Sequence, residues 1–261
     1  MRFVFAPRLR ITSEVWRIQD SLAESYPAVS QEMEALDGHQ VQAYVFGNSE
    51  TGSSIRVSQE SFAVVFHQYD SFEEFKDEAL RRTDAFAEKF GIQTFHRVGL
   101  RYVNHIELGP EQGVEDLKRY VNLPVDFDRF DPASIEQFST EIRLALDEHK
   151  MTIRDELVRR PGNGGGLFVL DLDCHTFAHI EIEDLPLLMD EFHRKIQIQF
   201  LEHIREEYKQ IMRGDGAQPV TRESESAAST AVASTDGAAG DDASEERITI
   251  RLEAGDFPGD E

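Results

Sequence analysis

The sequence predicts an α+β fold, an antiparallel β-sheet with helices packed on one face and a long C-terminal helix. Two observations carry that reading. Segments with apolar residues at alternate positions follow one another through turn-rich stretches, as half-buried antiparallel strands do. Two long segments, around 72–90 and 183–212, instead repeat apolar residues at steps of three and four, so each must bury one helical face.

The elements follow in order. Phe3, Phe5 and Leu9 suggest an opening strand, and Thr12 or Ser13 can cap a helix carrying Val15, Ile18 and Leu22 that Pro27 closes. Three strands are expected at 29–36, 41–46 and 62–69 with a short one at 55–58, a simple antiparallel meander. Ser71 and Glu74 form a capping box for a helix whose Phe72, Phe75, Ala79, Phe86 and Phe90 share a face, and Gly91 ends it. Residues 92–108 read as one long strand and 113–121 as a short helix. The strands 134–146 and 151–159 pair as a hairpin, 167–173 adds another strand, and a helix from 183 to 212 carries Leu185, Leu188, Met189, Phe192, Ile196, Phe200, Ile204, Tyr208 and Ile211 on one stripe. Residues 1–212 thus form a single globular unit, and the recurring theme admits two related halves, 1–108 and 109–212.

Composition changes after Arg213. Residues 213–246 read as a disordered acidic linker of small and polar residues, and 247–261 as a short strand-like tail built on Arg247-Ile248-Thr249-Ile250-Arg251-Leu252. Such a tail can add a strand to the sheet edge of another protein.

The chain has 261 residues, long enough for a substantial core without metal or disulfide staples. Its 27 Lys and Arg stand against 50 Asp and Glu, a formal net charge of -23. That balance argues against general nucleic-acid binding and fits either a hydrated, salt-adapted surface or an acidic patch for a basic protein partner. One cysteine, Cys174, excludes an internal disulfide and fits a reducing compartment. Neither a signal peptide nor a membrane-spanning run is recognisable, so a cytoplasmic location is expected.

Chemistry concentrates in two strands. In His96-Arg97-Val98-Gly99-Leu100-Arg101-Tyr102-Val103-Asn104, alternation places Arg97, Gly99 and Arg101 on one face and Val98, Leu100, Tyr102 and Asn104 on the other. Two guanidiniums about 7 Å apart across a glycine make a notch for a carboxylate, a phosphate or another backbone. In Leu170-Asp171-Leu172-Asp173 two carboxylates share one face in the same way. The pairs form either a structural ladder that sets register or a ligand-binding site of Arg97, Gly99, Arg101, Asn104, Asp171 and Asp173 for an anionic small molecule. Asp171, Asp173 and His175 are weak metal candidates on that face, their spacing undiagnostic. No cofactor is implied. Nucleophile-elbow, zinc-protease and phosphate-loop signatures are absent, and Gly162-Asn163-Gly164-Gly165-Gly166 precedes a strand rather than a helix.

The strand Gly99 to Asn104, G-L-R-Y-V-N, with the later Leu170-Asp-Leu-Asp173 and a terminal helix bearing His193 and Phe200, resembles a sporadically distributed, uncharacterised prokaryotic protein family with a G-L-R-Y-[IV]-N strand motif. The resemblance spans roughly residues 1 to 212. It implies no catalytic residues, and the family's patchy distribution points to mobile or defence-linked cargo, such as a toxin-neutralising protein. Together these features predict a non-catalytic binding or regulatory protein, with a hydrolase or small-molecule-processing enzyme on the Arg and Asp face as the alternative.

Overall fold

The structure is a computed structural model, and it describes residues 1–36, 38–67, 71–108, 114–130, 134–135, 137–159 and 166–213. The expected linker after Arg213, the tail strand and the glycine run at 162–165 lie outside the described residues.

The main sheet is antiparallel and nine-stranded. Its strands are β1 (Arg2–Val4), β2 (Ala28–Leu36), β3 (His39–Asn48), β4 (Ser53–Val57), β5 (Ser61–Phe66), β7 (Arg97–Leu108), β8 (Gln137–Leu146), β9 (His149–Arg159) and β10 (Gly166–Thr176). Their order is β2-β3-β4-β5-β1-β7-β10-β9-β8. This order reads alike from both edges. Each central strand, β1 or β7, is followed in the chain by a meander running from one edge inward, and then by a long helix, α3 (Phe72–Phe90) or α5 (Leu185–His203). The two runs meet at the centre of the sheet, where β7 opens the second run while pairing with β1.

Both long helices lie on one face. There Phe3, Phe62, Val64, Leu100, Leu172 and Cys174 of the sheet meet Phe75, Phe86, Leu188, Phe192 and Ile196 of the helices in a single core. Ser71 caps α3 as expected, accepting a hydrogen bond from the Glu74 amide, and Gly91 ends it with φ 64. Among the described residues no helix is long and apolar enough to cross a membrane.

Four local expectations are corrected. Leu9 is not in the opening strand: it begins helix α1 (Leu9–Ser13) and is 75 % exposed. Neither Thr12 nor Ser13 caps α2 (Val15–Leu22); Glu14 holds the junction, and the Ser13 hydroxyl donates to the Arg10 carbonyl. The strand expected over 92–108 is cut at His96, where the amide donates to the Val4 carbonyl at 2.7 Å. The residues before the cut, β6 (Thr94–Phe95), pair instead with β11 (Ile180–Glu181) in a separate ribbon. Finally, the helix expected to run to 212 stops at His203. Ile204 becomes extended to bridge Val121, the Asn122 amide donates to the His203 carbonyl, and the Arg205 amide donates to the Tyr120 carbonyl. The chain then resumes as α6 (Glu206–Met212) against α4 (Val114–Tyr120). The three-and-four spacing continues through this break, so periodicity alone cannot detect it.

The face opposite the helices is concave over β1 to β5. Arg2 of β1 reaches Glu34 of β2 at 3.1 Å although three strands lie between them. Flat, that separation is about 19 Å, beyond the joint reach of an arginine and a glutamate, so this half of the sheet is rolled. Small Ala43 and Ala63 permit the roll, and Val4, Leu36 and Val41 form a second apolar cluster inside it.

Candidate functional site

Register places the charged residues. β7 and β10 pair antiparallel with Arg101 opposite Asp173, Val103 opposite Asp171 and Gly99 opposite His175, so Arg97, Gly99, Arg101, Asp171, Asp173 and His175 share the face opposite the helices. Asn104 lies on the helix side, and its amide donates to the Leu170 carbonyl at 3.2 Å, which satisfies one polar group inside the core. It does not join the charged face.

The face has a tight end and a loose end. At the tight end Asp171, 4 % exposed, accepts Arg101 Nε at 2.8 Å and its terminal nitrogen at 2.9 Å, and also accepts Arg154 from β9 at 3.1 Å. Arg154 continues to Glu141 of β8 at 2.9 Å. One carboxylate shared by two guanidiniums is a structural clasp across three strands. Its oxygens are committed, and a metal cation drawn to Asp171 would stand between two fixed positive charges. Among the described residues no three His, Cys, Asp or Glu side chains converge as a metal site.

At the loose end Asp173 lies 3.7 Å from an Arg97 terminal nitrogen and 3.7 Å from His175 Nδ1, both too long for hydrogen bonds. Burial pushes the Asp173 carboxyl up, but the neighbouring His175, Arg97 and Arg101 outweigh it and hold the group below the usual carboxylate range. The His175 side chain is 9 % exposed and its Nδ1 has no hydrogen-bond partner. Its ring stands edge-on to Phe177 at 5.2 Å, and Phe177, 55 % exposed, carries Arg97 at 5.3 Å and Lys150 at 5.0 Å over its ring. Arg97 and His175 therefore flank a carboxylate that neither of them hydrogen-bonds, and Phe177 beside them gathers Arg97 and Lys150 over its ring.

Gly99 is closed from this side rather than open. A Cβ there would lie 3.3 Å from His175 Cβ and 3.6 Å from Asp173 Oδ1. The notch expected from sequence is filled by the neighbouring strand. Gly99→Ala should therefore push His175 outward and cost about 1 kcal/mol, read as a lower urea midpoint with unchanged slope; a neutral result would show that the two strands have slack at this point.

Cys174 lies on the other face, fully buried, and burial pushes its thiol up to about 12, so it offers no thiolate. Of the functional residues not singled out from sequence, Lys150 and Arg154 were within reach, since alternation in β9 puts them beside Asp171 and His175. Phe177 lies one residue beyond β10 and gives no such signal.

Comparison of the chain with protein-family models, with curated proteins and with solved structures returned no match.

Proposed function

We propose that the chain is a non-catalytic binding or regulatory protein whose working surface is the loose end of the charged face, where Arg97, Lys150 and His175 receive an anionic group. The observation that carries this reading is the buried, unpartnered His175 Nδ1 beside an Asp173 that neither Arg97 nor His175 engages within hydrogen-bond distance. A buried polar atom left without a partner costs about 1–3 kcal/mol. An incoming carboxylate or phosphate oxygen that drew Arg97 and His175 together would relieve that cost. Arg101 and Asp171 then act as the clasp that holds β7 and β10 in register.

The likeness of the Gly99 to Asn104 strand to a patchily distributed, uncharacterised family extends the proposal to a regulatory partner, such as a toxin, whose acidic group is taken at this face while a basic surface meets the acidic exterior. A hydrolytic role for Asp173 is the competing reading. It lacks an activated nucleophile beside that carboxylate among the described residues, the nearby thiol being on the opposite face.

The test is a titration of the full chain with inorganic phosphate and with malonate, followed through the His175 imidazole resonances. We expect a saturable shift that weakens at least fivefold in Arg97→Gln and stays within twofold in Arg143→Gln, which alters an exposed arginine near the tight end. An equal response in all three proteins would overturn the site. Turnover of p-nitrophenyl phosphate or acetate that disappears in Asp173→Asn would replace binding with hydrolysis.

A further inference from the structure

A cleft of about 760 Å³ opens between α3 and the turn joining β3 to β4. Its size falls within the range of small-molecule sites, and it shares no residue with the ladder.

One wall is rigid. Asn48 fixes the turn by donating to the Ser25 carbonyl at 2.8 Å and accepting from the amides of Glu50 at 2.8 Å and Thr51 at 3.2 Å. This presents the hydroxyls of Thr51 and Ser53, 2.7 Å apart, toward the cleft. The opposite wall is organised by Glu78, which accepts both Arg81 Nε, at 2.9 Å, and an Arg81 terminal nitrogen, Arg82 Nε at 2.7 Å, and the Tyr26 hydroxyl at 3.4 Å. Burial opposes its charge, yet the two arginines prevail and hold the Glu78 carboxyl below the usual range. Both guanidiniums are thereby aimed from one anchor. The terminal nitrogens of Arg82, on a side chain only 14 % exposed, have no acceptor among the described residues, and neither does Asp77 have a donor. Phe66, set edge-on to Phe75 at 5.4 Å, supplies an apolar floor.

The charge balance selects the ligand. Glu74, Asp77 and Glu78 stand against Arg81 and Arg82 in the lining, so an anion meets three carboxylates and a cation meets two guanidiniums. A hydroxyl group both donates and accepts, so a neutral polyol can satisfy the arginine donors, the Asp77 acceptor and the Thr51 and Ser53 hydroxyls at once. Its C–H face can then rest on Phe66.

We propose that this cleft is a binding site for a neutral polyhydroxylated small molecule of sugar size, with Arg82 and Asp77 as its principal donor and acceptor. It stands independently of the function proposed for the charged face.

Saturation-transfer NMR on the full chain with a panel of neutral mono- and disaccharides tests it, with malonate as the anionic arm. We expect at least one sugar to show saturable binding that weakens tenfold or more in both Arg82→Gln and Asp77→Asn and is unchanged in Arg143→Gln. Should Arg82→Gln fail to fold, Asp77→Asn, an exposed substitution, carries the comparison alone. No sugar response above that of Asp77→Asn, or malonate binding lost in Arg82→Gln with no sugar bound, would overturn the proposal.

Discussion

Asp171→Ala should destabilise the protein by about 2–3 kcal/mol, more than the loss of any other side chain on the face opposite the helices. Breaking a buried ion pair by removing one partner costs about 3–5 kcal/mol, because the remaining charge is left uncompensated. Here the stranded partners are Arg101 and Arg154, 29 % and 34 % exposed, and the water that reaches them lowers the figure. Arg101→Ala should cost less, about 1 kcal/mol, since Arg154 still holds Asp171. Replacing Arg101, Asp171 and Arg154 together by Met, Leu and Met should restore most of the loss, as apolar replacement of ion clusters does elsewhere. Urea unfolding of the four proteins decides the matter. A loss below about 1 kcal/mol for Asp171→Ala would mean that the clasp is not structural, and the whole row from Arg97 to Arg154 would then be open to a ligand.

The distinction between clasp and loose end marks where the sequence stops being readable. Alternation in 97–101 and 171–173 puts four charges on one face, and the register of β7 with β10 bears this out. Which pair is tight depends on β9: Arg154 closes on Asp171, whereas the β9 residue opposite Asp173 is the uncharged Thr152. That is a relation between three strands distant in the chain, and no local pattern encodes it. The same limit explains the fold. The caps of α3 are local, so Ser71 and Gly91 announce them. The breaks at His96 and Ile204 are made by the Val4 carbonyl and by Tyr120 to Asn122, and the periodicity on either side passes through unaltered. The roll that brings Arg2 to Glu34 is likewise a property of five strands together. It also explains why Glu34 is only 8 % exposed: the rolled sheet brings Arg2 and Arg56 onto it.

A second large effect is expected from a residue that the fold tolerates rather than uses. Asp155 of β9 faces the helices, 1 % exposed, in a row with Asn104, Leu170 and Thr140. Its Oδ2 accepts the Thr140 hydroxyl at 3.0 Å, but its Oδ1 has no partner. Burial raises the carboxyl above its ordinary value, and the Thr140 hydrogen bond and the nearby His203 only partly oppose this. The sign follows. A carboxyl whose folded pKa is raised binds protons more readily when folded, so it penalises the native state above that pKa, and the penalty fades as pH falls toward the unfolded value. Asp173, held low by its neighbours, behaves oppositely and contributes stability that is lost on acidification. Asp155→Leu should therefore stabilise the protein by about 1–2 kcal/mol near neutrality, with the gain shrinking as pH drops through the raised pKa. Thermal unfolding of both proteins from neutral pH downward provides the measurement. A variant that is less stable at neutral pH, or a gain that grows on acidification, would show instead that Asp155 is ionised and satisfied in the folded protein, held by His203 across the end of α5.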